Sequence, residues 1–253
     1  DCFMYFDEEL ILDLRLNVLN KYVDKFVITE ANYMHSGKPK KLNFDISKFK
    51  KFENKIEYIV IDKLPPGIEE INPYDDVEIK NRKILDNSLK RENNQRNLLV
   101  RGLKNSSDED IIIMSDLDEI PNLDNFKFKN KLNLFVQNFF YYKFNLMQPN
   151  FKWIGSRACK KKQLISPQWL RNIKDKSYPF WRIDTFFSKK KYTDILYIQS
   201  GGWHFTNVKS PKDLEKKFSN FLHHQDFEAS GLKLKNIKEK VKNKKVLYAL
   251  GVD

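Results

Sequence analysis

The sequence predicts an α/β fold, a mostly parallel central sheet flanked by helices, and three observations carry that expectation. Short apolar runs alternate with longer helical patterns up to residue 114, in the order strand, helix, strand, loop, strand, helix, strand, and this order favours parallel strands joined by crossovers. One run, Ile111-Ile112-Ile113-Met114, is apolar without interruption, as a strand buried on both faces requires. At 253 residues the chain suits one large α/β domain and is long enough to bury a sizeable core.

Residues 2–6, Cys-Phe-Met-Tyr-Phe, form the first expected strand. Asp7-Glu8-Glu9 places carboxylates in the first turn of the next helix, where the macrodipole favours them. That helix runs to about Tyr22, with Leu10, Leu14 and Val18 on one face and Leu12, Leu16 and Leu19 on another, so it packs between layers. Val23 to Thr29 is the second strand, Glu30 to Lys41 a polar loop, and Ile56 to Ile61 the third strand. Pro65-Pro66-Gly67 and Asn72-Pro73 mark a long loop over 62–76, and a helix over 77–103 leads to the fourth strand at 111–114.

Beyond Pro121 the texture changes. Phe135 to Leu146 and Tyr192 to Ile198 are aromatic-rich strands with hairpin or mixed pairing, and the segment 147–184 reads as loop. A helix starts at Ser210 with Pro211 in its first position, its face carrying Leu214, Phe218, Phe221 and Leu222, and His223-His224 lies on its exposed side. Lys233 to Lys245 is a basic helix or a frayed end. No repeat and no linker divides the chain, so 1–253 is expected to be one domain.

The formal net charge is +12, from 46 basic and 34 acidic side chains. Such a surplus suits nucleic acid, an anionic membrane surface or a phosphorylated substrate, and equally a solvated lysine-rich surface. Lysine is spread along the whole chain rather than gathered on one stretch, which argues against a nucleic-acid partner. Two cysteines, Cys2 and Cys159, make no disulfide framework and favour a reducing compartment. No stretch reaches the roughly 18 apolar residues of a membrane span, and no signal peptide is visible. A cytoplasmic location is therefore expected. A phosphate-binding P-loop, a dinucleotide fingerprint, zinc spacings and a Gly-x-Ser-x-Gly elbow are all missing from the sequence.

Asp116-Leu117-Asp118-Glu119 follows the buried run directly. In an open parallel sheet ligands bind outside the carboxyl ends of the strands, which is where these side chains emerge. Two carboxylates one residue apart point the same way if the backbone stays extended, and can then hold Mn²⁺ or Mg²⁺, hard cations that leave positions for phosphate oxygens. Such a metal neutralises a departing diphosphate. A helix N-cap with first-turn acids is the bland alternative.

Gly201-Gly202-Trp203-His204-Phe205 is the second cluster: the glycines permit close approach to a ligand or positive φ, and the imidazole of His204 can ligate a metal or be a satisfied core histidine. Glu30 ends the second strand, where a carboxylate suits a ribose or base, or simply the surface. Arg91 and Arg96 lie on the helix before the acidic motif and suit phosphate or solvent. Trp153 and Trp181, in loop-like stretches, are candidate platforms for an acceptor sugar.

Asp-Cys-Phe-Met-Tyr-Phe-Asp-Glu-Glu at 1–9, the stretch from Val23 to Ala31, Gly37 to Phe44, Ser115 to Pro121 and Gly202-Trp-His204 together resemble glycosyltransferase family 17, with the motifs in order across residues 1 to about 206. The resemblance implies a GT-A-like nucleotide-diphospho-sugar transferase fold, with 1–121 as the nucleotide-sugar-binding half and 122–253 as the acceptor-side half. It implies a UDP-sugar donor, UDP-GlcNAc foremost, a glycan or glycolipid acceptor, a divalent metal and inversion at the anomeric carbon. Asp116, Asp118 and His204 are then the expected metal residues, and Glu30, Arg96, Asp116 and Asp118 the nucleotide-sugar residues. Asp184 and Glu119 are the candidates for the catalytic base, and position alone does not choose between them. The basic tail offers a peripheral membrane contact, and the Golgi lumen is the alternative location should an anchor lie upstream. A non-catalytic nucleotide-sugar-binding module on the same fold is the rival reading.

Overall fold

The computed structural model describes residues 1–129, 131–176, 178, 181–182, 184–218 and 233–245. Its centre is a nine-stranded mixed sheet. The first half is built as expected: β1 (Cys2–Met4), β2 (Phe26–Ala31), β3 (Ile56–Ile61) and β4 (Ile111–Met114) run parallel in the order β3-β2-β1-β4. Beyond β4 the order continues β7-β6-β9-β5, with β8 also on β6. Here β5 (Glu119–Pro121), β6 (Leu132–Tyr141), β7 (Met147–Lys160), β8 (Ile195–Ile198) and β9 (Gly202–Thr206) mix antiparallel and parallel pairs, so the sheet is mixed, although five of its eight strand pairings are parallel.

Side-chain alternation sorts the core into two layers. Phe3, Ile28 and Ile113 face one way, onto α1 (Glu9–Leu19) through its Leu12, Leu16 and Leu19. Cys2, Val27, Ile112 and Met114 face the other, onto Leu99, Leu103, Trp169 and Leu170. Ile111, at the start of β4, is exposed, so burial on both faces begins at Ile112. The helix after β3, α2 (Val77–Asn97), is capped by Asp76, whose carboxylate accepts from the Ile79 amide, and continues as 3-10 turns over Leu98–Leu103. Gly102 is needed there, because a Cβ would stand 2.5 Å from Val27 Cγ1.

Several boundaries shift for local reasons. α1 stops at Leu19 rather than Tyr22, and Lys55 Nζ takes up the freed carbonyls of Asn20 (2.7 Å) and Val23 (2.8 Å). β6 covers 132–141 rather than 135–146, since Tyr142 turns the chain at φ +66° and Tyr141 N–H donates to Leu146 O. The segment read as loop over 147–184 contains the 14-residue β7, then α3 (Pro167–Asn172) and the single turn α4 (Asp184–Phe187). Gly201 and Gly202 let the chain pass close against β6 and β5, not against a ligand: Gly202 has φ +127°, and a Cβ on Gly201 would meet Val136 N at 2.8 Å.

At the C-terminal side, α5 (Pro211–Phe218) and α6 (Leu234–Lys242) pack Leu214, Phe218 and Ile237 against Phe139, Tyr141 and Tyr142. The basic tail is therefore helical from 234 to 242, with one buried side chain inward and its lysines outward. Phe221, Leu222 and His223-His224 lie outside the described residues. Cys2 and Cys159 are free and buried. Among the described residues no helix is long and apolar enough to cross a membrane.

Candidate functional site

The loop 115–118 leaves β4 at the carboxyl edge of the parallel strands, and its backbone is held from several sides. Ser115 N–H donates to Cys2 O and Phe205 N–H to Asp118 O (2.8 Å), while Ser115 Oγ donates to Ser156 Oγ (2.7 Å). The largest contribution comes from Arg15 on α1, which is fully buried. Its Nη1 donates to the carbonyls of Asp116 (3.1 Å), Leu117 (3.1 Å) and Glu119 (2.7 Å), its Nε and Nη2 clasp the Asp1 carboxylate, and the guanidinium lies over the Phe3 ring. Burial lowers the Arg15 pKa to about 10, against Glu119, Asp118 and Asp116, which raise it; the group stays charged at neutral pH.

The two aspartates then divide. Asp116 accepts from Arg171 Nη2 (2.7 Å) on one oxygen and from Arg96 Nη2 (3.2 Å) on the other. Burial alone would raise its pKa, but Arg171, then Arg96, hold it well below the usual carboxylate range. Asp118 instead faces His204, Oδ1 to Nε2 3.5 Å. Burial again pushes upward, and His204 and Lys217 outweigh it, so this carboxylate too is held low. The register of β5 on β9 sets Glu119 opposite His204, which brings the two sequence clusters to one place. The His204 ring is fixed by packing between Phe139 (4.9 Å) and Trp153 (5.0 Å), and its Nδ1 is buried without a hydrogen-bond partner among the described residues.

Glu119, expected as a candidate base, is fully buried and fully committed. It accepts from Arg171 on both oxygens (2.7 and 2.8 Å), from Trp153 Nε1 (2.6 Å) and from the Asp116 amide (2.9 Å). With no open side it positions Arg171 and Asp116. Gly155 on β7 makes room for it: a Cβ there would lie 2.6 Å from Glu119 Cδ. Arg171 ends α3, whose last carbonyls at Leu170, Arg171 and Ile173 are capped by the buried Arg157.

A cleft of about 230 Å³ opens beside this loop. Asp116, Leu117 and Asp118 line it, together with Glu8 and Lys217. Met4, Tyr5 and Phe6 after β1, Tyr33, Met34 and His35 after β2, Lys40, and Gln95 from α2 form the rest. Burial lowers the His35 pKa, so it is neutral at pH 7, and its Nε2 lies 3.4 Å from Gln95 Oε1. α2 turns a polar face inward here: Asn87, Ser88, Arg91, Gln95 and Arg96 are its buried residues. Arg91 Nη1 donates to His35 O (3.0 Å) and so braces the loop after β2 rather than facing the cleft.

Of the expected residues, the structure brings together Asp116, Asp118, Glu119, Arg96 and His204. Glu30 stands apart as a structural carboxylate: it accepts from Lys40 Nζ, the amides of Asn43 (2.8 Å) and Phe44 (3.0 Å), and Tyr58 Oη (2.8 Å), which folds the 32–44 loop into the cleft wall. Asp184 is paired with Arg182 and Lys191, which hold its pKa below the usual range, and it makes no contact with the acidic loop. Trp153 is a strand residue inside the site, and Trp181 is exposed. Arg171, Arg15, Lys217 and Glu8 were not anticipated as site residues. Arg15 was legible as an arginine on the buried stripe of α1; Arg171 carried no local signal.

For Mn²⁺ or Mg²⁺, Asp118 and His204 are the donors the site offers. A 3.5 Å separation is one that neighbouring ligands of a single cation, each at about 2.1 Å, can have. Among the described residues no group of three or more His, Cys, Asp or Glu side chains is placed to hold a metal, and both Asp116 oxygens face guanidinium groups. The donor set fits a cation that takes its remaining ligands from phosphate and water.

Fold and cleft define an α/β protein with a cleft at the carboxyl edge of its parallel strands. The chain belongs to glycosyltransferase family 17, which it matches over residues 1–250. It is similar to the β-1,4-mannosyl-glycoprotein 4-β-N-acetylglucosaminyltransferases of Homo sapiens, Rattus norvegicus and Mus musculus, each 24% identical over 222 residues. The matched region covers 81% of this chain and 39% of each relative, so the chain spans well under half the length of the curated relatives it matches. No solved structure matches the chain.

Proposed function

We propose that this protein transfers a sugar, GlcNAc foremost, from a UDP-sugar to a glycan or glycolipid acceptor, with inversion and with Mn²⁺ or Mg²⁺ as the cofactor. The observation that carries the reading is the cleft itself: aromatic and apolar side chains that suit a nucleoside line it together with the acidic loop, which suits a diphosphate–metal group. The order β3-β2-β1-β4 of the parallel strands and the site at their carboxyl ends support a GT-A-like arrangement. Family membership and the named relatives support glycosyl transfer.

In this reading Asp118 and His204 would hold the cation, which when bound supplies positive charge to a departing diphosphate. Asp116, kept ionised and oriented by Arg96 and Arg171, accepts hydrogen bonds from the donor. Arg15 fixes the loop backbone, so both carboxylates are in place before the donor arrives. The acceptor hydroxyl attacks the anomeric carbon on the face opposite the diphosphate as that bond breaks, and its proton passes to water. The exposed lysines of α6 suit the anionic surface on which lipid-linked acceptors sit.

A panel of nucleotide sugars with and without Mn²⁺, read out as UDP release, tests the reading. UDP-GlcNAc turnover that needs the metal and falls at least a hundredfold in Asp118→Ala is expected. Full, metal-dependent activity in that variant would refute the assignment of Asp118, and no release from any donor would refute the activity.

A further inference from the structure

The cations around the acidic loop differ in what they have left to give. Arg15 spends its guanidinium on three carbonyls and Asp1. Arg171 spends both terminal nitrogens on Asp116, Glu119 and the Gly155 carbonyl. Arg96 is shared among Gln168 (2.5 Å), Glu92 (2.8 Å) and Asp116. Lys40 is bound to Glu30, and Lys209 to Asp7. Lys217 is the exception. It reaches from α5 into the cleft with its side chain only 22% exposed, and its nearest charged partner, Glu8, is 3.8 Å away. Among the described residues it makes no hydrogen bond.

Burial pushes the Lys217 pKa down, but Glu8, Asp118, Asp7 and Asp116 push it up further, so the ammonium stays charged. A largely enclosed ammonium with its donors unspent is costly unless a ligand supplies acceptors. The side chain lines the same cleft as Asp116 and Asp118. We propose that Lys217 binds the diphosphate of the nucleotide-sugar donor, as the cation that α5 contributes to the cleft. The assignment rests on the donor reading above. It makes α5 part of the donor site, although this helix begins more than ninety residues beyond the acidic loop in sequence.

The test is calorimetric titration of the full chain in EDTA with UDP and, separately, with uridine, for the wild type, Lys217→Gln, Lys217→Arg and Lys212→Gln. A charge-assisted contact to phosphate predicts that Lys217→Gln weakens UDP by about tenfold or more and leaves uridine unchanged. Lys217→Arg keeps most of the UDP affinity, and Lys212→Gln, an exposed position on the same helix, keeps all of it. Uridine binding reports that each variant is folded, and Lys217→Met, which keeps the stem without the charge, reads the same difference should the glutamine disturb α5. UDP affinity equal to wild type in folded Lys217→Gln and Lys217→Met overturns the assignment, as does an equal loss for UDP and uridine in both. A wild type that binds neither ligand in EDTA, and neither when Mn²⁺ is restored, overturns the donor reading, and this one with it.

Discussion

Asp116 is an acid set between two guanidinium groups, and the consequence is measurable through pH. Its folded-state pKa is depressed below the roughly 3.9 of an unfolded aspartate. A group depressed in this way contributes its full stability above the unfolded value and loses it as pH falls toward the folded one. The melting temperature of Asp116→Asn is therefore expected to trail the wild type by a constant margin from neutral pH down to about pH 5, and the margin to narrow below about pH 4. Thermal melts across that range check it; a margin unchanged at the acid end would remove Arg171 and Arg96 as the cause. At this scale the sequence was partly legible. The acidic pair announced itself by following an apolar run, whereas Arg171 sits in a stretch with no periodicity to mark it, and only folding brings it to Asp116. Glu119 and Glu30 were legible as carboxylates near strand ends, but not as buried ones, because burial depends on the donors that arrive from β7, α3 and the 40s loop.

Among the elements, β7 does the most to shape the site and was the least visible beforehand. It begins with Met-Gln-Pro-Asn and its exposed positions are Met147, Pro149, Asn150 and Lys152, so no sustained hydrophobic alternation marks it, and its buried residues Gly155, Ser156, Arg157, Ala158 and Cys159 are small or charged. Gly155 is where β7 approaches Glu119, with Gln137 as the other neighbour of a Cβ placed there. Gly155→Ala is expected to lower stability by about 1–3 kcal/mol, the usual cost of overpacking, and to reduce turnover by displacing Glu119 and hence Arg171. Denaturant titration alongside the UDP-release assay checks both, and wild-type values in each would mean that the strand accommodates the methyl group. β4 was legible because burial on both sides writes a nearly unbroken apolar pattern, whereas α1 buries one face through Ile11, Leu12, Leu16 and Leu19 and leaves Leu10 exposed, so it lies on the sheet and not between two layers. α2 shows the reverse: its inward face is Asn87, Ser88, Arg91, Gln95 and Arg96, which a hydrophobic periodicity cannot report.

For the molecule as a whole, one sheet runs from β3 through β1 and β4 into β7 and β6, so residues before and after Pro121 share a single ladder system. The two apolar clusters on either side of the sheet both draw from each half of the chain. Unfolding in denaturant is therefore expected to be one transition, with tryptophan fluorescence and far-UV circular dichroism coinciding. Separate midpoints for the two probes would show that the halves are independent. The parallel half of the architecture was readable from alternating patterns; in the other half the mixed pairing was readable but not the strand partners, which are chosen by register and by glycines rather than by local composition.

The pairing of β5 with β9 places Glu119 across from His204, and the whole stretch from Asn122 to Gly201 is strung between them. That stretch can lengthen or shorten at its turns without moving either motif, provided the three paired positions keep their partners. A slip of one residue along the ladder would turn His204 to the opposite side of the sheet and part it from Asp118, although every side chain was still present. Insertions at those turns should therefore leave the site of this chain in place, whereas a single deletion inside 202–204 should silence it as thoroughly as removing Asp118.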